Sequence, residues 1–452
     1  MPISTIAPAV APAMSEPLPR QLPLGYWPAV SRWLLLLLGH IAVMTIIYSV
    51  LYCFEVVKQL PSDQVLGRWD AGWYQFIRDH GYSYDESKQS NVAFFPLFPY
   101  FWRCTGLSLL GISIVNLLTS LVGIALLVAA LPCTRRQGLL LASVPLLLFT
   151  WVPYTEALFY LFGALLLVGL HRQHLGWLLL GLLGCCLTRA AATFFVPALC
   201  FAELLAWLDT RATKAGARNL LLGLLVMALA IGSVLWFQHA QTGEWLGFYK
   251  TQRHWYHEWR LPLLPLHSTA WKRMEWLDAI SLAAALSAAI SCIYLLAKHL
   301  GQPRTPAAAQ PVSKAVLFSL GYCVCVGVFT VFQQGGDVSN SSRYILGTPF
   351  FAVLLWAAWQ RAHHWATWVL ALVTLAIVLY FLGFPNHFTD FSPAQSTWYV
   401  ALVGGYVAAS LAAGSTRSKL SFQRELSGAV YLFNTFMQVY LFNWFLDSVW
   451  LG

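Results

Sequence analysis

The sequence predicts an all-α polytopic membrane protein. Charged residues make up only 10% of the 452 and hydrophobic ones 58%, whereas a soluble globular chain carries roughly a quarter charged residues. Mean hydropathy is +0.63. Apolar runs able to cross about 30 Å of hydrocarbon at about 1.5 Å per residue recur along the whole length, and most charges fall between them.

In chain order, residues 1–31 are rich in Pro and Ala and lack a short apolar core with a cleavage site, so they read as a flexible cytoplasmic tail. Residues 32–452 read as one membrane domain of about 11 to 13 transmembrane helices. Trp33–Cys53 is the first span, followed by a long polar and aromatic loop over 54–105. Gly106–Leu131 is the second. The runs Leu139–Val152, Ala157–Leu170 and Leu175–Leu187 are short and closely spaced, which suits tilted, broken or incompletely spanning segments. Ala192–Leu208 and Leu220–Phe237 lead to a second large loop, 238–278. After Ala279–Ala297 comes 298–314, a Pro- and Ala-containing stretch that reads as a flexible cytoplasmic linker. Ala315–Phe332, Ile345–Trp359, Ala366–Leu382, Tyr399–Ala413 and Val430–Trp450 complete the set.

The formal charge is +9, yet the basic residues are scattered between spans, a pattern of membrane orientation rather than nucleic-acid binding. With the N-terminus inside, roughly 15 Lys/Arg face about 4 carboxylates on the cytoplasmic side, against roughly 12 and 14 outside, as the positive-inside rule expects. The loop 54–105, the loop 238–278 and the segments Gln333–Arg343 and Phe384–Trp398 then share the extracytoplasmic face. The nine cysteines lie mostly in apolar runs and show no metal-type spacing.

In the first loop, Asp70 opens the stretch DAGWYQFIRDH, in which Trp73, Phe76 and Ile77 have helical spacing. The expectation is a short interfacial helix with Asp70 at its N-terminus, where Asp is also a favoured N-cap. Ala93–Pro99 holds two prolines and is expected to be irregular, packed against protein or lining a cavity; an interfacial aromatic belt is the alternative. Arg189 and Arg343 are the only basic residues of their short outer loops, against the positive-inside bias. They are either anion holders or snorkelling side chains. Glu156 follows Pro153-Tyr154-Thr155 and suits a helix N-terminus. The run WLGFYKTQRHWYHEW offers rings and hydrogen-bonding groups for a sugar, or an aromatic belt. His254 and His257 lack a third ligand at metal-site spacing, so no metal site is assigned.

Taken in order, RWDAGWYQFIRDHGY, AFFPLFP, PYTEALF, the Arg of LTRAA and SRYILGTP resemble the motifs of the PIG-V family of mannosyltransferases, over most of the chain from Arg68 to Pro349. The resemblance implies a GT-C bundle whose large first extracytoplasmic loop carries an essential acid, here at Asp70. It implies a hexose, mannose in that family, taken from a polyprenyl phosphate (dolichyl- or undecaprenyl-phosphate) and passed to a glycolipid, glycan or protein on the extracytoplasmic face. The membrane would be the bacterial plasma membrane, or that of the ER in a eukaryote. The 298–314 linker and the last span match none of the family's motifs, and a host without GPI anchors would need another acceptor.

Inverting transfer from a lipid phosphate needs a base at the acceptor hydroxyl and a cation at the departing phosphate. Asp70 suits the first role, and Arg343, Arg189 and Arg68 the second. Trp69, Tyr82, Phe95, Pro96, Glu156, Gln252 and Tyr344 are candidates for binding sugar, lipid chain or acceptor. No cofactor beyond the lipid-linked sugar is required, and a divalent cation stays open. A transporter or lipid flippase is the alternative, but it should carry ionisable residues near the bilayer midplane; here they gather at span ends.

Overall fold

The computed structural model describes residues 25–210, 213–268, 274–301, 312–383, 392–417 and 421–451. Among these residues the regular structure is helical, with one isolated β-bridge, His267 to Asp337. The predicted tail 1–31 lies mostly outside the described residues, as do 302–311 of the predicted linker and 384–391 of the segment Phe384–Trp398.

The helices are α1 (Tyr26–Cys53), α2 (Asp70–His80), α3 (Leu97–Thr105), α4 (Leu109–Ala130), α5 (Arg135–Ala142), α6 (Glu156–Arg172), α7 (Leu175–Thr188), α8 (Ala192–Thr210), α9 (Thr213–Thr242), α10 (Gly247–Thr251), α11 (Glu275–Gly301), α12 (Lys314–Gln333), α13 (Ser341–Ile345), α14 (Pro349–Arg361), α15 (Trp365–Gly383), α16 (Pro393–Gly414) and α17 (Gln423–Leu446). Seven of these are long and apolar enough to cross a membrane: α1, α4, α9, α11, α12, α15 and α16; α7 and α8 are shorter apolar helices. Leu35, Ile46, Leu221, Leu229, Val373 and Leu402 point outward and exposed. Such wide apolar surface suits hydrocarbon rather than water, and the chain is a multi-pass membrane protein.

Neighbour packing closes on itself. It runs from α1 to α4, α6, α7, α9, α8, α12, α11, α15, α16 and α17 and back to α1, with α14 inside against α6, α12 and α16. Between α6, α8, α12 and α14 lies a cluster of rings: Phe159, Phe195, Phe318, Tyr322 and Phe350.

Three runs gain detail that the sequence left out. Leu139–Val152, expected to be tilted, broken or incompletely spanning, is broken: α5 stops at Ala142 and a 3₁₀ stretch, Pro145–Thr150, follows, both largely buried in protein. Pro145 has no N–H to continue a helix, and a buried apolar run of this length looks the same in sequence whether or not it spans. The run Ile345–Trp359 is broken before Pro349, where Thr348 caps α14 by accepting from Phe351 N. The FFPLFP segment is partly helical, since Pro96 precedes α3 and Pro99 sits in its first turn. There its missing N–H has no helical partner to lose, and the first α-type bond runs from Tyr100 N to Pro96 O at 3.1 Å.

Of the segments expected on one face, the two loops and Gln333–Arg343 do meet at one end of the bundle. Ser90 N donates to Thr251 Oγ1 at 3.1 Å, Trp73, Phe94 and Trp255 interlock, and Glu258 N reaches Gln333 O at 2.9 Å. At the opposite end Lys314 pairs with Glu203 at 2.5 Å, and Arg136 and Arg172 bond the helix-end carbonyls of Ser415 and Ala130.

Helices α6 and α7 approach closely because Gly181 lets the backbones touch: a Cβ there would stand 2.4 Å from Leu166 N. Replacing Gly181 with Ala is expected to cost about 1–3 kcal/mol through overpacking and to lower the melting temperature in detergent. Gly404→Ala, where a Cβ meets nothing within 4 Å, is expected to leave it unchanged.

Candidate functional site

Both acids singled out in the sequence begin helices, where partial positive charge favours a carboxylate. Asp70 is the first residue of α2 and Glu156 the first of α6. The turn before α6 is fixed from the side: Asn116, a lone amide in the apolar α4, donates to Val152 O at 2.6 Å and Tyr154 O at 3.0 Å. Asp70 is the first helical residue rather than the N-cap, a position that Trp69 holds. Its carboxylate is used elsewhere, so the N-cap role that the sequence allowed is not the one it plays.

Arg343, on α13, lies between the two acids. Its Nε donates to Glu156 Oε1 at 2.5 Å and its Nη1 to Asp70 Oδ2 at 2.8 Å. Arg189, closing α7, donates from Nη1 to the same Glu156 Oε1 at 2.8 Å. The order is therefore anion, cation, anion, cation. Arg343's guanidinium faces the rings of Tyr154 at 4.7 Å and Phe149 at 5.0 Å; Arg189's faces Tyr344 at 4.9 Å. Burial opposes the Arg343 charge, but Glu156 and Asp70 outweigh it and hold its pKa well above the ordinary value.

The inner pair is buried, with side-chain exposure of 4% for Glu156 and 5% for Arg343, while the outer pair is open, 26% for Asp70 and 21% for Arg189. Charges at both ends are thus accessible, and the two between them hold those ends in place. Tyr74 O–H and Thr155 Oγ1 lie 3.3 Å apart, and Thr155 donates to Glu156 Oε2 at 3.4 Å. A divalent ion bound by Asp70 and Glu156 would have to displace Arg343, and among the described residues no three His, Cys, Asp or Glu side chains converge.

Arg68 differs from the other two arginines. Among the described residues it forms no ion pair, and its buried Nε has no hydrogen-bond partner. Beside it, Trp69 has φ 53° and ψ −125°, a conformation that glycine adopts freely and a Trp holds at a cost of about 1–3 kcal/mol. Its indole is exposed. On α2, Ala71, Tyr74 and Ile77 face the bundle, in place of the predicted stripe Trp73, Phe76 and Ile77. The reason is Tyr74, whose ring packs on Phe94, Phe98 and Tyr154. Trp69, Trp73 and Phe76 instead line a cavity of about 720 Å³ closed by Asp85, Lys88 and Asn91. Bonds from Ser87, with help from Lys88, lower the Asp85 pKa to about 2.

Other sequence candidates lie at the same end of the bundle and are engaged internally. Tyr82 O–H donates to Phe94 O at 2.8 Å, Phe95 is buried against Phe248, Pro96 precedes α3, and Gln252 bonds Phe248 O and His257. Asn116, Tyr74 and Thr155 were missed. For Asn116 a signal existed: an amide alone in an apolar run must find a partner.

No family model, curated protein or solved structure matches the chain.

Removing the Glu156 charge leaves two arginines without their shared anion. Glu156→Gln is expected to destabilise the protein by about 3–5 kcal/mol, the usual result of breaking a buried pair from one side. Asp70→Asn, at the open end, is expected to cost clearly less in the same detergent melting experiment. Trp69→Gly removes the backbone strain and is expected to melt no lower than the wild type.

Proposed function

We propose that the protein is an integral-membrane glycosyltransferase that moves a hexose, mannose by the resemblance to PIG-V enzymes, from a polyprenyl phosphate to a glycolipid, glycan or protein acceptor. The observation that carries this reading is a half-open carboxylate, Asp70, fixed by a buried arginine and flanked by a second arginine, Arg68, that has no counter-ion among the described residues.

In the proposed reaction Asp70 accepts the proton of the acceptor hydroxyl. The hydroxyl oxygen forms a bond to the anomeric carbon from the face opposite the leaving group, and the bond from that carbon to the phosphate oxygen breaks. The polyprenyl phosphate departs with the electron pair, its charge met by Arg68 and Arg189. Arg343 has its donors on Glu156 and Asp70, so we assign it to positioning Asp70 rather than to the phosphate. The cavity beside Trp69 suits the acceptor: Trp69, Trp73 and Phe76 offer ring faces, and Asp85, Lys88 and Asn91 offer polar partners for hydroxyls. The charged end of the bundle would face away from the cytoplasm, as the positive-inside rule orients it. A transporter is less well supported, because the tetrad sits where helices begin and end instead of midway along spans.

The test is transfer of radiolabelled mannose from polyprenyl-phosphate mannose by membranes carrying matched amounts of each variant. Asp70→Asn is expected to lower transfer about 10²- to 10⁴-fold, the usual contribution of a general base. Arg68→Gln is expected to raise the KM for the donor. Full transfer by Asp70→Asn would remove it as the base.

A further inference from the structure

Away from the tetrad, α14 packs on α6, α12 and α16, and the space between it and the α11–α15 pair is a groove of about 850 Å³. Its walls run from Leu277 to Lys298 along α11. That distance is about 30 Å at about 1.5 Å per residue, close to the thickness of the hydrocarbon layer. Ile290 and Tyr294 on its rim are exposed, so the groove opens sideways toward lipid. Its walls are mostly aliphatic; of the polar groups along it, Ser287 bonds Thr374 at 2.8 Å and Tyr406 bonds Asn434 at 2.9 Å.

Charge is confined to one end. Lys298, Arg361 and His364 line the groove where α11 and α14 finish, far from Asp70. Among the described residues none of the three forms an ion pair with a carboxylate. His363 and Arg417 extend the basic surface, their side chains 3.3 Å apart. The pKa of His363 is lowered by its burial and by the positive neighbours His364 and Arg417.

We propose that this groove binds an anionic glycerophospholipid of the leaflet opposite the tetrad, with the acyl chains along α11 and the headgroup phosphate on Lys298, Arg361 and His364. A long apolar slot with its cations at one end matches such a molecule in both length and charge, and basic pockets between spans commonly take acidic headgroups. A reacting polyprenyl phosphate would need its phosphate beside Asp70, at the other end, leaving the cations Lys298 and Arg361 without an anion. The lipid is thus a structural or regulatory ligand, and its binding does not depend on the transferase reading.

The test uses the full chain in nanodiscs made with mixtures of phosphatidylglycerol and phosphatidylcholine, then transferred to detergent for native mass spectrometry. Wild type is expected to retain phosphatidylglycerol selectively and to melt higher with it than with phosphatidylcholine. The variant Lys298→Gln/Arg361→Gln/His364→Gln is expected to lose at least about tenfold of that preference, as removing two fixed surface cations predicts. Arg424→Gln, exposed elsewhere on the basic end, is expected to keep it. Ala284→Trp, which fills the groove but leaves the cations, is expected to lose retention of the lipid altogether. Equal retention of both lipids, unchanged preference in the triple variant, or displacement of phosphatidylglycerol by undecaprenyl phosphate at equal concentration would each overturn the proposal; the last would give the groove to the substrate.

Discussion

The Asp70 end of the bundle depends on a chain of four charges, Asp70, Arg343, Glu156 and Arg189, drawn from segments far apart in sequence. Arg343 and Glu156 are 187 residues apart, Arg343 and Asp70 273. Isolated, a buried guanidinium or carboxylate costs several kcal/mol in lost hydration. Alternation of sign is what makes the arrangement tolerable. Each buried member has an opposite charge within hydrogen-bond reach, and the faces of Phe149, Tyr154 and Tyr344 supply further attraction to the cations. The same chain clamps α2, α6, α7 and α13 together, so the groups that suit chemistry are also the pins that hold the fold at that end.

This double duty divides the tetrad. Glu156 and Arg343 are sealed in and serve as counter-ions; Asp70 and Arg189 remain reachable. A carboxylate held by one charge-assisted bond from a rigid arginine loses little freedom when a ligand arrives, which is what the proposed role of Asp70 as a base asks of it. The strained Trp69 backbone fits the same logic. Strain of this kind survives only where surrounding contacts over-determine it. Here those contacts are Asp70 on one side and, on the other, the cavity that the indole lines.

The helices were legible in the sequence because a membrane span announces itself by length and apolar content. The grouping of the outer loops was legible as well, since alternation of spans fixes which loops share a face. The number of spans was not. Leu139–Val152 has the composition of a span, and only the tertiary structure reveals that it is broken at Pro145 and buried in protein. At the site, the residue types were legible as charges out of place, but not their partners. Nothing local in SRYILGTP says that Arg343 will reach Glu156 and Asp70, or in LTRAA that Arg189 will share the same oxygen. The backbone strain at Trp69 was invisible for the opposite reason: its conformation is one that a sequence reader reserves for glycine.

The two ends of the bundle solve different problems. At the tetrad, the described basic and acidic side chains neutralise one another almost completely, and Arg68 is left over. Where α11 and α14 finish, Lys298, Arg361 and His364 have no carboxylate among the described residues. The spans between them offer apolar walls and few polar groups, so no protein side chain can reach from one end to neutralise the other. Each surplus of positive charge must therefore be met locally, by water or by an anion brought in from outside. At the tetrad end the surplus lies beside the carboxylate of Asp70. At the far end it lies beside an apolar slot. Under the transferase proposal the first setting receives an anion that reacts and leaves; under the lipid proposal the second holds an anion with an apolar tail that stays. The membrane, by keeping the two ends electrically separate, allows one chain to hold both.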